Sequence, residues 1–351
     1  MELSEQYRKI QQVGEGTFSI TLPKNWVIEK GLKRGDLLLI TEEDDGSLRI
    51  MPPIKSPREF SVTINAELAV SISQLTRLIR GCYIHGYDTI KIVSMKGFTE
   101  EQITEIMKTI DELPGLEIVE QTSQKIVIHS FIDPRRFTIE VLMKRLQVIV
   151  SSILNQLEDL VTVGDESIAK NIERQEDRVD ELYFLMVRLL FTYLRRKELG
   201  KVLGIDSPAY VVGARLVAKS LEEISDYASE ISLEILRMKR RGLWFDKHTV
   251  TELQNIIRTI QELFEKCMKA FFSLDIQLAE EVIQIVNEQI REKVPEMLLR
   301  GDPRVMAHAR FVSWALSYIA VECKIIAEVI FNKFVRESTP ICEVEVDSRY
   351  D

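Results

Sequence analysis

Glu173-Arg174-Gln175-Glu176-Asp177-Arg178-Val179-Asp180-Glu181-Leu182-Tyr183-Phe184-Leu185-Met186-Val187-Arg188-Leu189-Leu190-Phe191-Thr192-Tyr193 holds the two patterns that decide the fold. In its second half Leu182, Leu185, Met186, Leu189, Leu190 and Tyr193 recur at spacings of three and four, the apolar stripe of a helix that packs in a bundle. In its first half Glu173 and Asp177 stand four apart, as do Glu176 and Asp180, so each acidic pair shares a helix face.

The same texture runs over residues 137–336, with breaks near Val163-Gly164, residues 204–208, Gly242, Ser273 and residues 301–303. Those breaks leave six helices, several far longer than the usual three turns, which divide into two antiparallel three-helix units. The third helix carries Leu221-Glu222-Glu223-Ile224-Ser225-Asp226, where Glu222 and Asp226 are again four apart. With the turn centred near Leu203, Asp180 and Asp226 each lie about 23 residues from it, at matched heights on neighbouring rods. Like charges at one level repel unless a cation neutralises them, and an all-oxygen donor set suits Mg, Mn or Fe. The competing reading is a solvated helix face. No Glu-x-x-His pair accompanies the carboxylates, so redox catalysis is not expected.

Ahead of the helices the texture differs. Residues 58–132 order as β-α-β-α-β-β, a small two-layer α/β domain with no glycine-rich phosphate loop and no catalytic constellation. Residues 1–53 read as short strands over 9–13, 17–22, 36–41 and 47–51, with one short helix over 25–30 ending at Gly31. Pro52-Pro53 and Pro57 read as a linker. The expected divisions are therefore 1–53, 58–132, 137–242, 243–336 and an acidic tail at 337–351.

Composition narrows the function classes. The 351 residues suffice for two or three domains with a sizeable core. No apolar run reaches the roughly 18 residues needed to span a bilayer, and the first residues lack the apolar core of a secretory signal. A soluble cytoplasmic protein without direct membrane insertion is expected. Cys82, Cys267, Cys323 and Cys342 form no CxxC pair, and the four histidines show no metal spacing. The net charge of −9 excludes a chain that coats nucleic acid along its length. Residues 7–34, however, hold six basic side chains against two acidic ones before the run Glu42-Glu43-Asp44-Asp45.

Two resemblances give these parts a meaning. Leu221-Glu222-Glu223-Ile224-Ser225-Asp226-Tyr227-Ala228 closely resembles the helix motif LERIGDHA of the PhoU family, and residues 172–182 are similar to that family's preceding helix. The resemblance extends over roughly residues 137–336 as a tandem of three-helix units. It implies a regulator of phosphate uptake and signalling that holds a divalent or transition metal ion (Fe, Mn, Mg or Zn). By position, the implied ligands are Glu173, Glu176, Asp177, Asp180, Glu222 and Asp226. The second unit departs from the motif: Ser317 and Val321 replace the acidic positions of the third helix, and Gln284, Asn287 and Arg291 replace three of its partner's. Only Glu288 keeps a carboxylate there, so the second unit is expected to keep the scaffold without the site.

Residues 9–24, from Lys9-Ile10 through Gly14-Glu15-Gly16 to Pro23-Lys24, resemble the opening strand-turn-strand of the SpoVT-AbrB family, and Gly31-Leu32-Lys33-Arg34-Gly35-Asp36 matches its following loop. That resemblance implies an all-β homodimer of swapped hairpins that binds DNA, with Arg8, Lys9, Lys24, Lys33 and Arg34 as contacts. Dimerisation alone, or peptide and antitoxin-type binding, are the other readings of this module. Together the halves read as a non-enzymatic, DNA-binding transcriptional regulator of phosphate uptake whose helical domain relays phosphate or metal status. The alternative is an adaptor that leaves DNA alone and acts on phosphate ABC transporter subunits or a signalling kinase. A metal-dependent hydrolase is disfavoured, since no nucleophile-base pair stands beside the acidic cluster.

Overall fold

Turn residues punctuate the first fifty positions, and the computed structural model, which describes residues 7–42, 46–52, 59–290, 303–336 and 341–342, shows what they separate. The acidic residues 43–45, the linker from Pro53 to Pro57, Arg291 and nearly all of the expected acidic tail lie outside the described residues. The chain divides into two compact units, residues 1–58 and 59–351.

In the first unit β1 (Gln11–Gln12) pairs antiparallel with β2 (Phe18–Ser19), and β3 (Leu39–Glu42) with β4 (Leu48–Met51). Between the pairs lies α1 (Lys24–Glu29), which Gly31 ends in the left-handed region at φ 63°. The first two strands are shorter than their apolar alternation predicts, because a lone two-stranded ribbon has nothing to pack its outer residues against. None of the described residues from 7 to 52 is buried: Phe18 is 68% exposed and Leu37 82%.

The second unit begins with a four-stranded sheet ordered β5 (Ser61–Asn65), β6 (Thr89–Val93), β8 (Lys125–Ser130), β7 (Leu116–Gln121). The β5–β6 pair is parallel and the other two are antiparallel, so α2 joins β5 to β6 and α3 joins β6 to β7 as crossovers between parallel strands, and β8 returns antiparallel between β6 and β7. Helices α2 (Ile72–Ile84) and α3 (Glu100–Asp111) complete this layer. Leu75, Ile79 and Tyr83 from α2 meet Ile90, Ile92, Ile126 and Ile128 from the sheet in its core.

The predicted breaks near Gly164, residues 204–208, Gly242 and Ser273 are found; of the one at 301–303, only Pro303, where the last helix begins, lies within the described residues. Helices α4 (Ile139–Val163) and α5 (Glu166–Arg195) are joined through Gly164, whose φ of 63° and contact with the Trp244 ring leave no room for a side chain. After the short α6 (Gly200–Leu203) come α7 (Pro208–Arg240), α8 (Lys247–Ser273), α9 (Ile276–Ile285) and α10 (Pro303–Phe334). A π turn, Val286–Ile290, extends α9, a feature the apolar pattern does not announce. The two three-helix units share one core, in which Leu182, Leu189, Leu221 and Ile224 of the first join Ile257, Phe264, Leu316 and Ile319 of the second. Cys267 and Cys323 are buried in that core as free thiols.

The α/β layer and the helices are bolted together by Arg188, which is buried on α5. Its Nη1 donates to the Tyr83 carbonyl at 2.6 Å and its Nη2 to the Tyr87 carbonyl at 2.8 Å. A cation at the carbonyl end of α2 is also favoured by the helix dipole. Arg196 adds a bond to Asp88 Oδ2 at 2.8 Å, and the same oxygen accepts from the Phe60 amide. Replacing Arg188 by Met removes one donor from the Tyr83 carbonyl, which keeps the Gly86 amide at 2.9 Å, and one from the part-buried Tyr87 carbonyl, and leaves an apolar chain among these oxygens. Arg188→Met should cost about 2–3 kcal/mol of stability in urea denaturation, and a loss below about 0.5 kcal/mol would refute its role as the bolt.

Candidate metal centre and basic segment

Two helices and one register build the acidic site. Glu176 and Asp180 lie one turn apart on α5, and Glu222, Glu223 and Asp226 lie within two turns of α7. The helices are paired through the connector that contains the buried Leu203. Their equal distance from that connector brings Glu176, Asp180 and Asp226 together, with one carboxylate oxygen of each within 4.8 Å of the others. Glu222, Glu223 and Asp226 form a second such group that shares Asp226. Among the described residues both groups lie in the first three-helix unit.

Four of the six sequence-predicted ligands are thus gathered: Glu176, Asp180, Glu222 and Asp226. Glu173 is exposed and stands outside both groups, because a position one turn before Glu176 has passed the level of Asp226. Asp177 is also exposed and acts on the site only through its charge on Glu176 and Asp180. The motif reading missed Glu223, which adjoins Glu222, and Lys219, whose Nζ pairs with Glu222 and lies 2.8 Å from Glu223 Oε1. Lys219 was visible as a basic residue three and four positions before two acids. Glu322 of α10 and Glu112, at the C-terminal end of α3, also act on the cluster by charge, and only tertiary packing brings them there.

Burial and mutual repulsion set the electrostatics. Burial first, then Asp180, Asp226, Asp177 and Glu222, push the Glu176 carboxyl up to about 8. Burial followed by Glu222 and Asp180 raises Asp226 to about 7, with Lys219 pulling the other way. Asp180 rises to about 6 through burial and then Glu222, again opposed by Lys219. Burial also raises Glu222, and its bond to Lys219 offsets part of that rise. The residues fit a cation: the donors are all carboxylate oxygens, and buried Asp180 Oδ1 accepts no hydrogen bond among the described residues.

The basic candidates of the first unit, Arg8, Lys9, Lys24, Lys33 and Arg34, are all exposed. The Lys33 amide donates to Asp36 Oδ2 at 2.8 Å, which ties down the Gly31–Asp36 loop, and the turn at residues 14–16 closes with the Val13 amide on the Thr17 carbonyl.

Because these carboxyls titrate higher in the folded protein than in the unfolded chain, the folded state holds the extra protons. Stability contributed by them is present at low pH and is lost as pH rises through about 6, 7 and 8. Metal-free protein should therefore melt progressively lower between pH 5 and pH 8.5. Asp226→Asn should flatten that slope and raise Tm at the alkaline end by roughly 2–4 °C. A melting temperature that climbs across this range in metal-free protein would contradict the account.

Family models match two stretches of the chain. The model of the PhoU domain matches residues 143–235, which begin within α4 and end within α7. A second model, antidote-toxin recognition MazE, bacterial antitoxin, matches residues 11–59. The crystal structure of PhoU from Pseudomonas aeruginosa is similar at 18% identity and a TM-score of 0.48, over 57% of this chain and 96% of that one. No curated protein matches the chain. The chain carries a PhoU domain over residues 143–235 and, ahead of it, a MazE/AbrB-like segment over residues 11–59.

Proposed function

We propose that this protein is a dimeric, DNA-binding regulator of phosphate uptake whose PhoU domain holds a divalent or transition metal ion. The observation that carries the metal reading is the convergence of carboxylate oxygens of Glu176, Asp180 and Asp226 within 4.8 Å, where Asp180 Oδ1 is buried and has no donor among the described residues. Those three residues would hold the ion, Glu222 and Glu223 would face it from the next turn, and Lys219 would balance the remaining charge. The ion would supply neutralising charge between α5 and α7, and thereby fix the spacing of the two helices.

The dimer is supported by the first unit's surface. The apolar residues Phe18, Ile20, Ile28, Leu37, Leu39 and Leu48 all stay exposed, and the described residues of this module form no core. A second copy of the same module would cover them, as the resemblance to swapped-hairpin proteins implies. Exposed Arg8, Lys9, Lys24, Lys33 and Arg34 would then bring phosphate-backbone contacts in duplicate. Among the described residues no helix is long and apolar enough to cross a membrane, which suits a cytoplasmic role.

Two measurements test the proposal. In anisotropy titrations, the protein should bind its own promoter and phosphate-transport promoters with marked salt dependence, and Lys9→Ala/Lys24→Ala should weaken binding at least about tenfold. Absence of binding at any salt, with or without metal, would remove the DNA reading and favour an adaptor acting on the transporter or its kinase. In calorimetric titration with Mn²⁺, Asp226→Asn should weaken binding about tenfold or more while Glu173→Gln leaves it unchanged. Equal affinity of Asp226→Asn and wild type would remove the metal reading.

A further inference from the structure

A ridge of aromatic rings crosses the outer face of α7 and α10. Phe311, Trp314 and Tyr318 recur at helical spacing on α10, and Tyr227 meets them from α7. Trp314 and Tyr318 stack at 4.4 Å between centroids, Tyr227 lies 6.0 Å from Trp314 and 5.4 Å from Tyr318, and Phe311 lies 6.2 Å from Trp314. Burial does not explain this packing, since Trp314 is 49% exposed and Tyr318 40%. Large rings left in water side by side mark a contact surface more often than a core.

The charges around the ridge select the occupant. On α7 the face that bears Tyr227 also bears Glu223, Glu230 and Glu234, and on α10 the stripe runs on from Tyr318 to Glu322. Lys219 already pairs with Glu222 and Glu223, and Glu234 accepts from Arg237 at 3.1 Å and meets His308 Nδ1 at 2.6 Å, whereas among the described residues Glu230 and Glu322 have no such ion pair. Arg310, one turn before Trp314, is exposed. Elsewhere the protein covers its rings with its own cations: Lys239 lies 6.0 Å over Trp244, and Arg215 and Lys219 lie 4.9 and 5.7 Å over Tyr183. Among the described residues, no such cation sits over Tyr227, Trp314 or Tyr318.

We infer that this ridge is a docking surface for a basic segment of a partner protein, which lays arginine side chains across Trp314, Tyr318 and Tyr227 and pairs them with the glutamates alongside. Arginine suits the surface better than lysine because its planar guanidinium stacks on a ring while its edge still reaches a carboxylate. The inference does not depend on a metal in the neighbouring cluster or on DNA binding by the first unit.

The probe is an acetylated and amidated peptide of alternating arginine and alanine, titrated calorimetrically into the full chain, with a citrulline-for-arginine peptide as the neutral control. The arginine peptide should bind at low salt and weaken at high salt, and the citrulline peptide should bind at least about tenfold more weakly. Trp314→Leu keeps apolar bulk and removes the ring; with its melting temperature unchanged, it should weaken binding about tenfold. Glu322→Gln and Glu230→Gln together should do the same while leaving every ring in place. Equal binding by wild type and Trp314→Leu overturns the inference, because the peptide is then held by diffuse negative charge. No binding at millimolar peptide also overturns it, as does loss of self-association on Trp314→Leu in sedimentation, which would make the ridge an interface between copies of this chain.

Discussion

The register between α5 and α7 is the constraint on which the rest of the second unit depends. Both helices run for some thirty residues, and they are paired by a connector whose Leu203 is buried in the shared core. A slip of one residue on either helix would turn about 100° of its surface away from the other. The same slip would expose Leu182, Leu189 or Leu221 and scatter Glu176, Asp180 and Asp226. Core packing therefore fixes the site, because apolar burial along the two rods far outweighs the repulsion of a few carboxylates at one level. Arg188 extends that order to the sheet layer, since it leaves the same helix and ends on the carbonyls of Tyr83 and Tyr87.

The two units solve the problem of a core in different ways. From residue 59 onward the chain closes around its own apolar stripes, and both three-helix units contribute to one interior. The MazE/AbrB-like segment forms two short strand pairs, and none of its described residues up to 52 is buried. Among the described residues each of its strands pairs with one other. The basic residues there follow the same logic, since a side chain on a surface without a core has nowhere to be but in solvent.

Long-range periodicity and glycine punctuation made most of this legible from the residues. The helix ends at Val163, Ser273 and Pro303 fall where Gly164, the run after Ser273 and Gly301-Pro303 announce them, because backbone conformation at such points is decided locally. The α/β layer was equally readable, its elements following the predicted order β-α-β-α-β-β. Equal counting from Leu203 was enough to bring Asp180 beside Asp226. The motif alone could not separate Glu173 from Glu176, because a family pattern marks both and only the helix level decides which one reaches α7. Glu112, Glu322 and the aromatic ridge escaped because they belong to elements far apart in the chain, and the π turn at Val286–Ile290 leaves no compositional trace.

The buried acids between α5 and α7 have a kinetic side as well. Carboxylates that titrate upward on burial repel one another most strongly once ionised, and parting the two helices relieves that repulsion. The barrier to opening is therefore lower when the charges stand uncompensated, and higher when a cation, a proton or Lys219 holds them. A protease that samples open states cuts in proportion to how often they form. How often this part of the chain opens to a protease then depends on what neutralises the carboxylates that face one another across the two helices.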